Sequence, residues 1–479
     1  MCIDAKKERK MRVLLIAYDN DSHVSYFPLG LGYIAAALLS DGHDVKIYEQ
    51  NIYHYTEEEL KDYLNHNHYD AVGIGGCGGY YQYRKIKKIV WAISEVKEKP
   101  FLWLGGHLPS PEPEYFLRNF SRGGVDAVVI GEGEETCKEM LQVLEGGGKD
   151  FKGVAGMAYI DENNQYIENA RRPLIKDIDS IPYPAWDLFT MEHYVLYPYP
   201  NAARSDRCMQ MLSGRGCPFH CNFCYRMDSG FRPRSTRSII EEIQELKRRY
   251  KVNYITFDDE LLMSSVERTK EIAQAIIDNN LNIKFWCEGR LNYACKDLEM
   301  LRLLKEAGCV FINYGIESMD DAALERMHKN LKTDMIIEGI ENTLRVGISP
   351  GLNIIFGNLD EDMEVLKKDV EFLLKYDDGA QIRTIRPVTP YPGTELYKIA
   401  IERGLIKDIA DFYENKHTNS DLLTCNFTSM SDEEFYKALD WANSTLLNAY
   451  LEKVKEKNRL CLYELYQEHN AEFRGFRPV

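Results

Sequence analysis

No run of eighteen apolar residues occurs in this chain of 479 residues, so no membrane-spanning helix is expected. The opening segment, Met1-Cys2-Ile3-Asp4-Ala5-Lys6-Lys7-Glu8-Arg9-Lys10, lacks the apolar stretch of a secretory signal and is expected to be a charged tail on a cytoplasmic protein. An excess of basic residues is missing too. The 59 Lys and Arg stand against 75 Asp and Glu, a net charge of −16 that argues against a nucleic-acid backbone as partner. Neither G-x-x-x-x-G-K-[ST] nor a G-x-G-x-x-G after the first expected strand is present, which excludes the usual triphosphate and dinucleotide cradles. The 12 cysteines are scattered, with three in one loop, which is the usage of a reducing compartment and not of a disulfide framework.

What the chain does contain is two successive stretches of βα alternation. Apolar runs at 12–18, 44–48, 71–75, 101–104 and 125–130 read as strands, and helix-period segments at 30–40, 56–64, 86–96, 112–120 and 135–144 as crossover helices. The alternation implies a five-stranded, doubly wound parallel sheet, whose ligands sit beyond the carboxyl ends of the strands. Four glycine-bearing loops fall on that rim: Leu29-Gly30-Leu31-Gly32, Gly75-Gly76-Cys77-Gly78-Gly79-Tyr80, Gly105-Gly106-His107-Leu108-Pro109 and Gly131-Glu132-Gly133-Glu134. Together they let a large flat ligand approach backbone without interference from Cβ, although each glycine alone reads equally well as a left-handed turn residue.

After residue 207 the pattern resumes. Strands are expected at 209–212, 254–257, 283–287, 310–315, 351–356 and 381–387 with helices between them, a partial (β/α)6 barrel whose chemistry belongs at its C-terminal mouth. The expected organisation is an α/β domain over 1–150, a proline- and tyrosine-rich linker over 151–207, the barrel over 208–405 and a helical, substrate-shaping tail over 406–479. In that tail Phe435, Leu439, Trp441 and Leu446 are expected to be buried as a cap over the barrel.

The first barrel strand delivers Cys217-Pro218-Phe219-His220-Cys221-Asn222-Phe223-Cys224-Tyr225. A four-iron cluster normally takes four thiolates, so three thiols spaced C-x3-C-x2-C leave one iron open for a reacting ligand. A structural zinc knuckle would want a fourth Cys or His at short spacing, and His220 immediately precedes Cys221, too close to complete a tetrahedron comfortably.

This loop resembles the cluster loop of the radical S-adenosylmethionine (SAM) superfamily. With P-L-G-L-G-Y, G-G-H-L-P-S and G-E-G-E ahead of it, the chain is similar over about residues 11 to 405 to the cobalamin-binding subgroup of that superfamily. The resemblance implies a flavodoxin-like cobalamin domain and a 4Fe-4S cluster on Cys217, Cys221 and Cys224. It implies SAM contacts from Phe223, Tyr225, Asp258, Asp259, Glu260, Glu288, Arg290 and Glu317, with Arg290 facing the SAM carboxylate. Cobalamin contacts are implied at Leu29, Gly30, Gly32, Gly75, Gly76, Cys77, Gly78, Tyr80, Gly105, Gly106, His107, Pro109, Gly131, Glu132, Gly133 and Glu134. One departure stands out: the D-x-H-x-x-G of corrinoid proteins that put a histidine on cobalt is broken here, because Asp21 and His23 are followed by Tyr26 at the glycine position. The implied activity is methylation of an unactivated carbon by a cobalamin-dependent radical SAM methyltransferase; the alternative is oxidation, elimination, ring contraction or cyclisation with the same cofactors and no net methylation. A flavodoxin or ferredoxin is the implied electron donor. A methylthiotransferase would need three further cluster cysteines, and residues 11 to 150 hold only Cys77 and Cys137.

Overall fold

The computed structural model describes residues 10–21, 26–197, 199 and 201–472; the tail 1–9 and His23 lie outside them. The chain folds as two compact units. One takes the residues up to Tyr197 together with Tyr225–Ser235 and Tyr391–Asn419; the other takes the stretch ending at Cys224, Thr236–Pro390 and the chain from Ser420 on.

In the first unit, β1 (Arg12–Ala17), β2 (Asp44–Glu49), β3 (Ala71–Gly75), β4 (Phe101–Gly105) and β5 (Ala127–Val129) form a parallel sheet in the order β2-β1-β3-β4-β5. This is the flavodoxin-like winding, whose switch point lies between β1 and β3. Helices α1 (Leu29–Ser40), α2 (Glu57–His66), α3 (Tyr80–Ser94), α4 (Pro113–Arg118) and α5 (Glu134–Glu145) provide the crossovers. Helix α3 begins six residues before its expected start at 86, because Tyr80, Tyr83 and Ile86 share its buried face. The sheet is also wider than the expected five strands. Antiparallel β6 (Met157–Ile160) and β7 (Tyr166–Glu168) extend it to seven, turning at 161–165, where Asn164 adopts φ +61° and Asp161 accepts from Asn163 and Gln165. The segment 391–419 also packs here: Tyr413 stacks on Tyr83 at 4.4 Å, and Tyr83 and Lys87 both reach the Glu414 carboxylate.

The second unit is built on β8 (Cys208–Met211), β9 (Tyr254–Phe257), β10 (Lys284–Gly289), β11 (Cys309–Glu317), β12 (Ser349–Phe356) and β13 (Ile385–Pro387), all parallel and in sequence order. The six expected strands are present, the last shortened from 381–387 to three residues. The helical tail expected over 406–479 is divided: residues up to Asn419 belong to the first unit, and the rest carries one long helix, α6 (Asp432–Tyr466), begun by a Ser431–Glu434 capping box. It docks through Phe435, Ala438, Leu439, Ala442 and Leu446, whereas Trp441 stands on the opposite face, 40% exposed, contrary to the expected burial. Phe435 stacks on Phe356 at 5.2 Å and fills the space beside Gly357, whose φ is +93°. Phe435→Ala is expected to lower stability by about 3–5 kcal/mol, measurable by denaturant unfolding. Among the described residues no helix is long and apolar enough to cross a membrane.

Candidate active site

The rim of the first unit separates two kinds of glycine. Gly30 has nothing within 4 Å of a notional Cβ, Gly75 meets only Leu31 at 3.7 Å, and Gly105 only Val129, at 3.6 Å from its carbonyl oxygen; Gly131 also has open space, but its φ of +84° already asks for glycine. Gly75 and Gly105 are register partners across β3 and β4, so their bare positions point to the same face. Four other rim glycines are demanded by the fold itself. A Cβ on Gly32 would meet Pro184 at 2.8 Å, on Gly76 Ile86 at 2.8 Å, on Gly133 Ile34 at 2.8 Å, and on Gly106, where φ is +87°, the Gly76 carbonyl at 2.6 Å.

Several side chains expected at this rim are occupied elsewhere. Glu132 receives both guanidinium nitrogens of Arg232, at 2.9 and 3.0 Å, and the Ile175 N–H at 3.1 Å. Glu134 is buried in the first turn of α5, and Pro109 is buried beside Leu108. Tyr80 is buried with the Arg84 guanidinium 4.3 Å from its ring centroid, while Cys77 and His107 are exposed and Leu29 is partly so. Sequence reasoning missed Tyr413, whose hydroxyl donates to the Gly78 carbonyl at 3.2 Å and pins the β3 loop. The signal was the aromatic cluster at 412–417, more than 330 residues away in sequence from that loop. Tyr225 also belongs to this unit, edge-on to His107 at 5.7 Å and packed against Gly393.

At the mouth of the second unit the cysteine loop is tied down from three sides. Buried Asn222 is held at three points: its backbone N–H donates to the Met327 carbonyl at 3.0 Å, its side-chain amide donates to the Arg326 carbonyl at 2.9 Å, and its side-chain oxygen accepts from Asn358 at 3.1 Å. Asp259, expected to face SAM, turns inward instead and accepts from the Ser213 N–H at 2.5 Å and from its hydroxyl. Glu260 accepts from the Gly216 N–H at 3.0 Å, and Arg268 donates to the Ser213 carbonyl at 2.6 Å. Cys217 and Cys221 are half-buried and Cys224 is exposed. Among the described residues no three His, Cys, Asp or Glu side chains converge on a point that one metal ion could occupy. A four-iron cluster asks for a different arrangement, one thiolate on each of three iron atoms.

The remaining mouth residues form linked sets. Asp258 accepts from Gln210 at 2.8 Å, and Glu288 accepts from Asn313, which in turn accepts from Asn353 at 2.7 Å. Glu317, at φ +72°, pairs with Lys329 at 2.7 Å, and Lys329 lies 6.0 Å from the centroid of Phe223. Arg290 stacks on Phe219, its guanidinium 3.4 Å from the ring centroid. Carboxylates outnumber cations here, which suits a ligand that carries a sulfonium and an ammonium. One layer deeper, Gln210, Thr256 and Trp286 are neighbours in register, and Gln210 Oε1, Thr256 Oγ1 and Trp286 Nε1 have no hydrogen-bond partner among the described residues. Below them Tyr199, Cys208 and Tyr254 close the floor. The barrel therefore presents a polar shelf above an apolar base.

Three carboxyls of this unit, Asp259, Glu288 and Glu361, are each held up to about 7, chiefly by burial. Glu361 escaped the sequence reading; it accepts from the Gly357 and Asn358 N–H groups at 2.7 and 2.9 Å and so fixes the turn after β12. A folded-state pKa above the unfolded value means that the folded chain binds the extra protons. These groups therefore make stability fall as pH rises from about 4 to about 7 and leave it lower above that window. In Glu361→Gln, which retains the accepting oxygen, the difference in apoprotein Tm between about pH 5 and about pH 8 is expected to shrink, as differential scanning calorimetry would show.

An open α/β sheet with a bare glycine rim, joined in one chain to a six-stranded parallel barrel with a three-thiol loop at its mouth, defines a radical enzyme with an accessory corrin-type cofactor. Comparison with known proteins agrees: residues 211–373 match the Radical SAM superfamily and residues 12–141 the B12 binding domain. An uncharacterized methyltransferase of Pyrococcus horikoshii is 30% identical over 407 residues, spanning 83% of this chain and 84% of that one. The anaerobic magnesium-protoporphyrin IX monomethyl ester cyclase of a Synechocystis species is 27% identical, over 81% of this chain and 76% of its own. In fold, the chain is similar to the radical SAM methyltransferase TsrM from Kitasatospora setae, solved with cobalamin and a [4Fe-4S] cluster, at a TM-score of 0.66 and 17% identity over 82% of this chain and 75% of that one. The chain belongs to the cobalamin-binding radical SAM enzymes. Its cofactors are a 4Fe-4S cluster, SAM and cobalamin.

Proposed function

We propose that this enzyme transfers a methyl group to an unactivated carbon of its substrate. The observation that carries the reading is the pairing of both cofactor domains over the same span as a methyltransferase relative at 30% identity. In this reading Cys217, Cys221 and Cys224 hold the cluster, and Phe223, Asp258, Glu260, Glu288 and Glu317 face SAM. Leu29, Gly30, Gly75, Gly78, Gly105 and Gly131 receive cobalamin. Together the bound cofactors supply one-electron chemistry and a transferable methyl group. The chain's own part is to hold the cysteine loop through Asn222 and Asp259 and to offer bare backbone at the rim. A flavodoxin or ferredoxin serves as electron donor.

A second reading, ring formation or oxidation without net methylation, is favoured by the cyclase relative. The two separate by product analysis. Reconstituted, reduced enzyme incubated with an extract of its host and methyl-labelled SAM is expected to yield a product heavier by one methylene, with S-adenosylhomocysteine formed beside 5'-deoxyadenosine. A product change that consumes SAM but carries no label would overturn methylation in favour of the second reading.

A further inference from the structure

Arg290 has a different setting from the one its position at a strand end implied. It is 8% exposed, and its guanidinium stacks on Phe219 inside the cysteine loop. It donates to the Lys329 carbonyl at 2.5 Å and to the Asn292 side chain at 3.2 Å, and Cys221 and Cys217 lie near enough to act on its charge. Among the described residues it makes no ion pair with a carboxylate, whereas nearby Lys329 is neutralised by Glu317. Once a cluster is bound, the sulfurs of Cys217 and Cys221 would be the negative charge beside this cation. The ring and the carbonyl hold the guanidinium in place, so it cannot swing into solvent as a surface arginine would.

We propose that Arg290 is a positioning residue that sets the reduction potential of the cluster held by Cys217, Cys221 and Cys224. The inference rests on the proposed placement of the cluster on these cysteines. One-electron reduction by a low-potential donor adds a single negative charge beside this cation; no bond is made or broken and no proton moves. A fixed positive charge in a poorly solvated site favours the more negative state, so it raises the potential. Arginine suits this task because its charge does not vary over the working pH range.

The test is an anaerobic redox titration of the reconstituted full-length chain, followed by electron paramagnetic resonance of the reduced cluster, without SAM or cobalamin. No readout then depends on turnover or on SAM binding. Arg290→Gln is expected to make reduction at least tenfold less favourable, a midpoint lower by about 59 mV for a one-electron couple. Arg290→Lys keeps the charge and is expected to lie between the two. A cluster-replete Arg290→Gln protein with the parent's midpoint would overturn the proposal. Should that variant fail to assemble a cluster, Phe219→Leu decides: it keeps the Arg290 side chain but removes the ring that fixes the guanidinium beside the loop, so the charge is free to move away and the midpoint must fall in the same direction, an unchanged value being contrary. Parent protein that binds no iron or sulfide would instead overturn the placement of the cluster, an outcome distinguishable by metal analysis alone.

Discussion

Replacing Cys217, Cys221 or Cys224 with alanine is expected to abolish the 4Fe-4S cluster's visible absorption and to reduce SAM cleavage on the order of 10³-fold or more. Loss of an outer partner of a metal ligand typically costs 10–100-fold, and removing a ligand outright costs more. The three positions are not equivalent in surroundings, since Cys217 and Cys221 are half-buried and Cys224 is exposed, but in the proposed placement each supplies one thiolate to the cluster. Asn222→Ala separates ligation from positioning. Its side chain ties the loop to the Arg326 carbonyl and to Asn358, so its loss is expected to lower cluster occupancy by about 10–100-fold while leaving all three thiols. Cys137→Ala, in the buried core of the first unit, should leave iron content unchanged. Iron and sulfide analysis with 5'-deoxyadenosine measurement checks the set. Retained 5'-deoxyadenosine formation in any of the three loop variants would sink the assignment.

The loop pattern was legible because it is local: thiols four and three residues apart occupy one short stretch of chain, whatever the rest does. The strands were legible for a similar reason, being short apolar runs bounded by turn residues, and those of β3 and β9 coincide with the expected spans. What escaped depends on direction and on distance in sequence. Asp258 and Asp259 are adjacent at a strand end, so they cannot both face the mouth; Asp258 continues the face of Tyr254 and Thr256, and Asp259 turns to Ser213. Strand parity held that signal. Arg290 and Glu132 gave none, because Phe219 and Arg232 reach them from far along the chain. The hairpin at 157–168 was hidden by a flanking proline- and tyrosine-rich composition, although its turn is marked by Asp161 and Asn164.

Two neighbouring glycines on the rim are expected to fail in opposite ways. Valine at Gly75 meets no more than Leu31 at 3.7 Å, an ordinary contact, and the backbone there is not left-handed, so the apoprotein Tm should stay within about 2 °C of the parent. Its side chain nevertheless projects onto the face shared with Gly105, where the proposed cobalamin site needs bare backbone. Cobalamin affinity is expected to fall about 100-fold, equivalent to about 2.7 kcal/mol. Gly76→Val is the reverse case. Its Cβ would lie 2.8 Å from Ile86 and 3.1 Å from Leu108, both buried, and overpacking of this kind costs about 1–3 kcal/mol, seen as a lower Tm before any ligand is added. Equilibrium dialysis of cobalamin and calorimetry of the apoprotein measure the two effects separately. If Gly75→Val bound cobalamin as tightly as the parent, the corrin would not lie against β3 and β4, and the rim loops would revert to being turns.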